Sequence, residues 1–159
     1  MRIAITGTPG TGKSEVAVAL GKLLQAQVIH LNELAKEKHL YCGYDRKRKC
    51  DIVDIGKLEK EVENRIKGKN KTSIIESHFS HDLPADIIII LRCEIGELRR
   101  RLEKRSWPKG KIDENVEAEI MCVCREEAAD TGKLLLEIST EGKAAETVAQ
   151  EIKKKIRKQ

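Results

Sequence analysis

Aromatic side chains are scarce in this chain: phenylalanine, tyrosine and tryptophan together make up 3% of its 159 residues. Aliphatic side chains must therefore fill the interior. Long apolar runs are missing too. The longest, residues 87–91, is far too short to span a bilayer, so no membrane partner is expected. Met1 stands one residue before the first strand-like run, which leaves no space for a signal peptide and points to a cytoplasmic protein. The five cysteines are an odd number without zinc-type spacing. They read as reduced structural thiols, with a Cys42–Cys50 bridge as the open alternative. Repeats, low-complexity segments and long linkers are also lacking. Hydrophobic residues at 40% and charged residues at 36% exclude a disordered chain. The length fits one domain over residues 1–159. The formal charge of +5 is compatible with polyphosphate ligands or RNA and proves neither.

What stands out is Gly7-Thr8-Pro9-Gly10-Thr11-Gly12-Lys13-Ser14. It matches the phosphate-binding pattern of Gly, four residues and Gly-Lys-Ser/Thr. An apolar strand-like run, Ile3-Ala4-Ile5, leads into it. Val16, Ala17, Leu20, Leu23 and Leu24 follow at helical spacing. A strand, a glycine loop and a helix in that order are the context this motif requires. Gly10 and Gly12 let the backbone approach a ligand closely, and the N–H groups converge on one concavity suited to an anion. The helix beginning at Lys13-Ser14-Glu15 adds unpaired donors and a partial positive charge. Lys13 can reach the β- and γ-phosphates of ATP, and Ser14 can ligate Mg²⁺.

Strand-like and helix-like stretches alternate along the rest of the chain, as in an α/β domain with a parallel sheet. Strands are expected near 2–6, 27–31, 72–76, 86–91 and 134–138. Helices are expected near 13–25, 56–67, 95–104, 113–130 and 143–157, with a short one at 33–38 capped by Asn32. Residues 40–54 read as irregular and carry the basic cluster Arg46-Lys47-Arg48-Lys49. Ligands of such sheets bind beyond the carboxyl ends of the strands. There the glycine loop meets Glu76-Ser77-His78 and the segment after Leu31. Alone, these would read as a capping glutamate and a loop histidine. Beside a glycine loop, Glu76 reads as the acid that holds Mg²⁺ or its waters. His78 reads as the group that orients an attacking water or hydroxyl, or takes its proton. His81 reads as an ordinary loop residue.

Arginines cluster at 99–101 and 105, at a helix end and the start of a loop with Trp107-Pro108-Lys109-Gly110. Arg105, at the hinge, is the expected donor to charge building on a transferring phosphoryl group. Arg99 and Arg101 read as a solvated helix face paired with Glu97 and Glu103. Arg100 could belong to either class, and Arg125 is a second candidate to fold back on the phosphates.

Four segments together carry a resemblance: the glycine loop, Leu40-Tyr41-Cys42-Gly43-Tyr44-Asp45, Glu76-Ser77-His78, and Leu102-Glu103-Lys104-Arg105 continuing to Asp113-Glu114-Asn115-Val116-Glu117-Ala118-Glu119-Ile120. They resemble the adenylate kinase isoenzyme 6 family, the coilin-interacting nuclear ATPase of eukaryotes and its archaeal relatives. The resemblance covers nearly the whole chain. It implies a P-loop NTPase fold of adenylate-kinase type, with a five-stranded parallel sheet flanked by helices. It also implies a monophosphate-binding segment near 30–53 and a short lid near 104–114. The implied chemistry is transfer of phosphate from ATP to AMP or another nucleoside monophosphate, beside a weak ATPase. The implied role is late maturation of the small ribosomal subunit, through a platform ribosomal protein. Two departures stand out. Eukaryotic members have Asp-Tyr-His where this chain has Glu76-Ser77-His78, and Lys36 aligns with an arginine for the AMP phosphate. Lysine offers a point charge in place of a planar fork.

Two functions of different class follow. One is an enzyme that makes two ADP from ATP and AMP, which needs both substrates held in line. The other is an ATP-driven assembly factor acting on a ribosomal protein, with rRNA contact through its basic tail or Arg46–Lys49. A kinase for some other small substrate is a third reading. Without a long apolar edge or heptad, a monomer is expected.

Overall fold

In the computed structural model, strands of branched aliphatics lie side by side with both faces covered. The structure describes residues 1–46, 50–68 and 72–158. The strands are β1 (Arg2–Thr6), β2 (Gln27–His30), β3 (Tyr41–Asp45), β4 (Cys50–Val53), β5 (Ser73–Glu76), β6 (Ile87–Arg92) and β7 (Leu134–Ser139). The helices are α1 (Lys13–Leu24), α2 (Leu31–Glu37), α3 (Ile55–Ile66), α4 (Ile95–Glu103), α5 (Lys109–Ile120), α6 (Val123–Ala129) and α7 (Ala145–Ile156). Five strands form one parallel sheet in the order β2-β5-β1-β6-β7. This is the five-stranded parallel sheet expected.

The two-residue period of the strands divides the core. Ile3, Ile5, Ile74, Ile87, Ile89 and Leu91 face α1 and α7. Ala4, Ile75, Ile88 and Ile90 face the other way, onto α2, α3 and α6. Burial on both faces is why β6 reads as a continuous apolar run. A smaller cluster, with Leu98 and Leu102 of α4 against Ile112 and Val116 of α5, sits beside the glycine loop. The parallel register brings the carboxyl ends of β1, β2 and β5 level: Ile5 pairs with Glu76, and Glu76 with His30.

Four expectations change. Residues 40–54 are not irregular: β3 and β4 pair antiparallel, with a register shift between Tyr41 and Gly43. That shift breaks the alternation by which a strand is recognised. Lys47, Arg48 and Lys49 of the basic cluster lie outside the described residues. The expected helix 113–130 is two helices. α5 starts earlier, behind Pro108, and the chain breaks at Cys122, which has a left-handed φ of 54°. No glycine or proline marks that break. Helix α2 is capped at His30, so Asn32 lies inside its first turn. His81 is not a loop residue in solvent. It is 1% exposed, in a 3₁₀ turn over Ser80–Asp82, with Nδ1 2.8 Å from Thr6 Oγ1.

All five cysteines are free. Among the described residues, no helix is long and apolar enough to cross a membrane.

Candidate active site

β1 is the central strand, where the strand order reverses, so its carboxyl end is the natural ligand crevice of the sheet. The glycine loop occupies it. Gly7 has φ +140°, and a Cβ there would lie 2.4 Å from the Leu91 carbonyl oxygen. Gly10 has φ +97°, and its Cβ would lie 2.8 Å from Leu98 Cδ1. Only glycine permits this turn to rest directly on β6 and α4.

Lys13 follows the loop and is buried. Its Nζ donates to the Thr8 carbonyl oxygen at 3.1 Å. Burial pushes its pKa down, and the Glu76 carboxylate acts against that. Glu76 closes β5 and is 5% exposed. Its Oε2 accepts from Ser14 Oγ at 3.3 Å and lies 2.8 Å from His30 Nδ1. A buried carboxylate beside a serine hydroxyl at the head of a helix is a donor set that fits Mg²⁺, which prefers oxygen and needs few protein ligands when phosphates supply others. His30 meets the same carboxylate oxygen as Ser14, as an outer partner does in metal centres.

His78 lies just past Glu76. It is exposed at one edge and packs edge-to-face on Phe79, with ring centroids 4.9 Å apart. Partial desolvation, with repulsion from Lys13 and His81, pushes its pKa down to about 4. At neutral pH it is an uncharged imidazole that can accept a hydrogen bond.

A cleft of about 430 Å³ opens beside the loop, lined by Gly10, Gly12, Glu15, Arg101, Arg105 and Lys143 among others. Arg105 is exposed at its rim, its guanidinium 5.8 Å from the centre of the Trp107 ring. Glu15 lies at the mouth.

The structure thus gathers Gly10, Gly12, Lys13, Ser14, Glu15, Glu76, His78 and Arg105 at one end of the sheet. It separates others. Arg99 pairs with Asp113 at 2.7 Å, not with Glu103. Arg125 pairs with Glu126 at 2.6 Å and Glu137 at 3.2 Å. Arg100 is exposed on α4, on the side of Glu94. Arg101 corrects the reading of a solvated face. It pairs with Glu97, and its Nη1 also reaches the Gly10 carbonyl oxygen and Thr140 Oγ1, each at 3.4 Å. His30 was missed as well. Its only signal was a histidine at the end of an apolar strand, and the register of β2 against β5 gives it meaning.

Residues 3–122 match the family model described as AAA domain. A Methanosarcina barkeri protein named "Putative adenylate kinase" is 45% identical over 155 residues, covering 97% of this chain and 85% of that protein. A Methanocaldococcus jannaschii protein of the same name is 41% identical over 152 residues, with 96% and 84% covered. Among solved structures, shikimate kinase from Acinetobacter baumannii in complex with shikimate superposes with a TM-score of 0.67 at 16% identity, covering 99% of this chain and 93% of that one. Deoxyadenosine kinase from M. mycoides superposes at 0.61 with 18% identity, over the full length of both chains. These likenesses show the fold, a P-loop NTPase of kinase type.

Proposed function

The chain belongs to the AAA-domain family and, within it, to the adenylate-kinase-like relatives just described; from that premise we propose that it transfers the γ-phosphoryl group of ATP to AMP or another nucleoside monophosphate, with slow ATP hydrolysis alongside. The observation that carries this reading is the arrangement at the end of β1. A glycine cradle, a buried lysine and the Ser14–Glu76 pair converge where a polyphosphate would lie.

The amides about Gly10 and Gly12 bind the phosphate oxygens, and Lys13 leaves the Thr8 carbonyl for the β- and γ-phosphates. Ser14 and Glu76 are the residues that would hold Mg²⁺, which when bound would supply a Lewis acid to offset negative charge on the phosphates. Arg105 places its guanidinium over the same oxygens from the short lid near 104–114, and Glu15 stays at the mouth of the cleft. His78, uncharged at neutral pH, orients the attacking oxygen by accepting a hydrogen bond from it. The acceptor nucleotide binds along residues 30–53, with Lys36, exposed on α2, toward its phosphate.

The test is ADP yield from purified protein with Mg-ATP, alone and with each nucleoside monophosphate. A monophosphate-dependent rise supports transfer, and a yield indifferent to all of them rejects it. A second reading has its own support in the exposed Lys154, Arg157 and Lys158 of the C-terminal end. In it the protein is a cytoplasmic, monomeric, ATP-driven assembly factor for a small-subunit platform ribosomal protein, with rRNA contact and incidental AMP kinase activity. ADP formation accelerated by that protein, and not by AMP, would favour it.

A further inference from the structure

The glycine loop is tied to a distant helix by one buried carboxylate. Glu119, near the end of α5, is 2% exposed. Its Oε2 accepts from Thr8 Oγ1 at 2.5 Å, across 111 residues of sequence. Its Oε1 accepts from Arg92 Nε at 2.6 Å and from the Cys93 amide at 3.2 Å. Arg92 then turns back on the helix. Its Nη2 donates to the Glu119 carbonyl oxygen at 3.0 Å, and Nη1 lies 3.1 Å from Cys122 Sγ. Burial disfavours the guanidinium charge, but Glu119 and Cys122 hold its pKa raised. The same arginine that neutralises Glu119 thus satisfies a carbonyl at the end of α5 and braces the left-handed turn at Cys122.

Thr8 is the point where this network meets the chemistry. Its carbonyl oxygen accepts from Lys13 Nζ at 3.1 Å, from the Thr11 amide at 3.2 Å and from Thr11 Oγ1 at 2.9 Å. Fixing the Thr8 side chain therefore fixes the start of the lysine's path to the phosphates. At its other end, α5 begins one residue past Trp107-Pro108, and the Lys111 ammonium lies 4.0 Å from the Trp107 ring that also faces Arg105. Packing alone does not call for such a pair. An apolar pair of the same shape would fill the space without desolvating two charges.

We propose that Glu119 is a positioning residue that locks the glycine loop to the far end of α5 through Thr8, so that loop, Lys13 and α5 act as one body. The coupling rests on the reading of this end of the sheet as a phosphoryl-transfer centre. Phosphate binding by main-chain amides survives a loosened Thr8. Placement of Lys13 against the transferring group does not, because small misplacements are costly in the transition state.

Four variants of the full chain test this: Thr8→Val, which keeps the shape and loses the hydroxyl; Thr8→Ser, which keeps the hydroxyl; Glu119→Gln; and the double variant of Thr8→Val with Glu119→Gln. Each is measured for Mg-ATP affinity by calorimetry, for kcat of ADP formation, and for Mg-ATP protection of amides 117–122 by hydrogen exchange. Thr8→Val is expected to lose about 10-fold in kcat while its ATP affinity stays within about 2-fold. Thr8→Ser recovers most of that loss. The kcat losses of Glu119→Gln and Thr8→Val combine less than multiplicatively, because the Thr8–Glu119 link is lost in both, although Glu119→Gln also leaves Arg92 without its carboxylate. Mg-ATP protects amides 117–122 in the wild type and in Thr8→Ser, and not in Thr8→Val. Equal losses in the two threonine variants, multiplying losses in the double variant, or unchanged protection in Thr8→Val would each overturn the proposal. If the wild type binds Mg-ATP and transfers nothing, the phosphoryl-transfer reading fails while the exchange arm still decides the coupling.

Discussion

The glycine-loop region and the β3–β4 region, the proposed donor and acceptor sides, are built differently. On the donor side, the glycine loop sits on β6 and α4, Lys13 and Glu76 are buried, and each has named partners. On the acceptor side, β3 and β4 form a ribbon of their own, apart from the main sheet. Tyr44 is 56% and Ile52 47% exposed there. A two-stranded ribbon is marginal by itself, and among the described residues Leu40, Tyr41 and Val53 at its base pack against the cluster that holds α2 and α3. The difference teaches where the free energy of binding goes. On the proposed function, the donor side is preorganised for a polyphosphate, whereas the more exposed acceptor side would bind at a larger cost in affinity.

The most direct way to break the comparison is Lys13→Ala. It should lower both transfer and hydrolysis by at least about 10²-fold in a turnover assay, because it removes a fixed donor to the transferring group. A Lys13→Ala protein with near-normal turnover would place the donor elsewhere. Next comes His78→Ala, expected to slow hydrolysis by about 10²-fold with little change in ATP affinity. The same residue gives a pH prediction. Its pKa is pushed down to about 4, so its imidazole is neutral at pH 7 and charges only well below the usual range. In the unfolded chain it takes its proton near pH 6.5. The unfolded state therefore binds more protons between those values, and stability falls as pH drops through that window. A histidine NMR titration should place the midpoint near 4; a midpoint near 6.5 would contradict the desolvation and the repulsion from Lys13 and His81. Glu76→Gln should raise the Mg²⁺ concentration needed for half-maximal activity about 10- to 100-fold. The smallest effect sharpens the acceptor side. Lys36→Arg should improve the KM for AMP roughly 3-fold by supplying a planar fork, and leave the KM for ATP alone.

The donor side was the more legible of the two in the sequence. A motif of fixed spacing behind an aliphatic strand can be read locally, and so can an acid that ends a strand, such as Glu76. The parallel sheet follows from the alternation of its elements. What escaped reading depends on partners far away in the chain. His30 matters through its pairing with Glu76, 46 residues on, and Arg101 through the Gly10 carbonyl, 91 residues back. Glu119 meets Thr8 across a still longer gap. On the acceptor side, the shift at Gly43 hid the β3–β4 ribbon. The break at Cys122 carries no glycine or proline and is held by Arg92 from another element.

The central claim is that the amides around Gly10 and Gly12, with Lys13, grip a triphosphate before any acceptor arrives. Calorimetric titration of Mg-ATP into the folded protein, in the absence of a monophosphate, tests it most directly. Saturable binding at one site in the wild type, much weakened in Lys13→Ala, is the result predicted here; no heat of binding, or equal affinity in the variant, would contradict it.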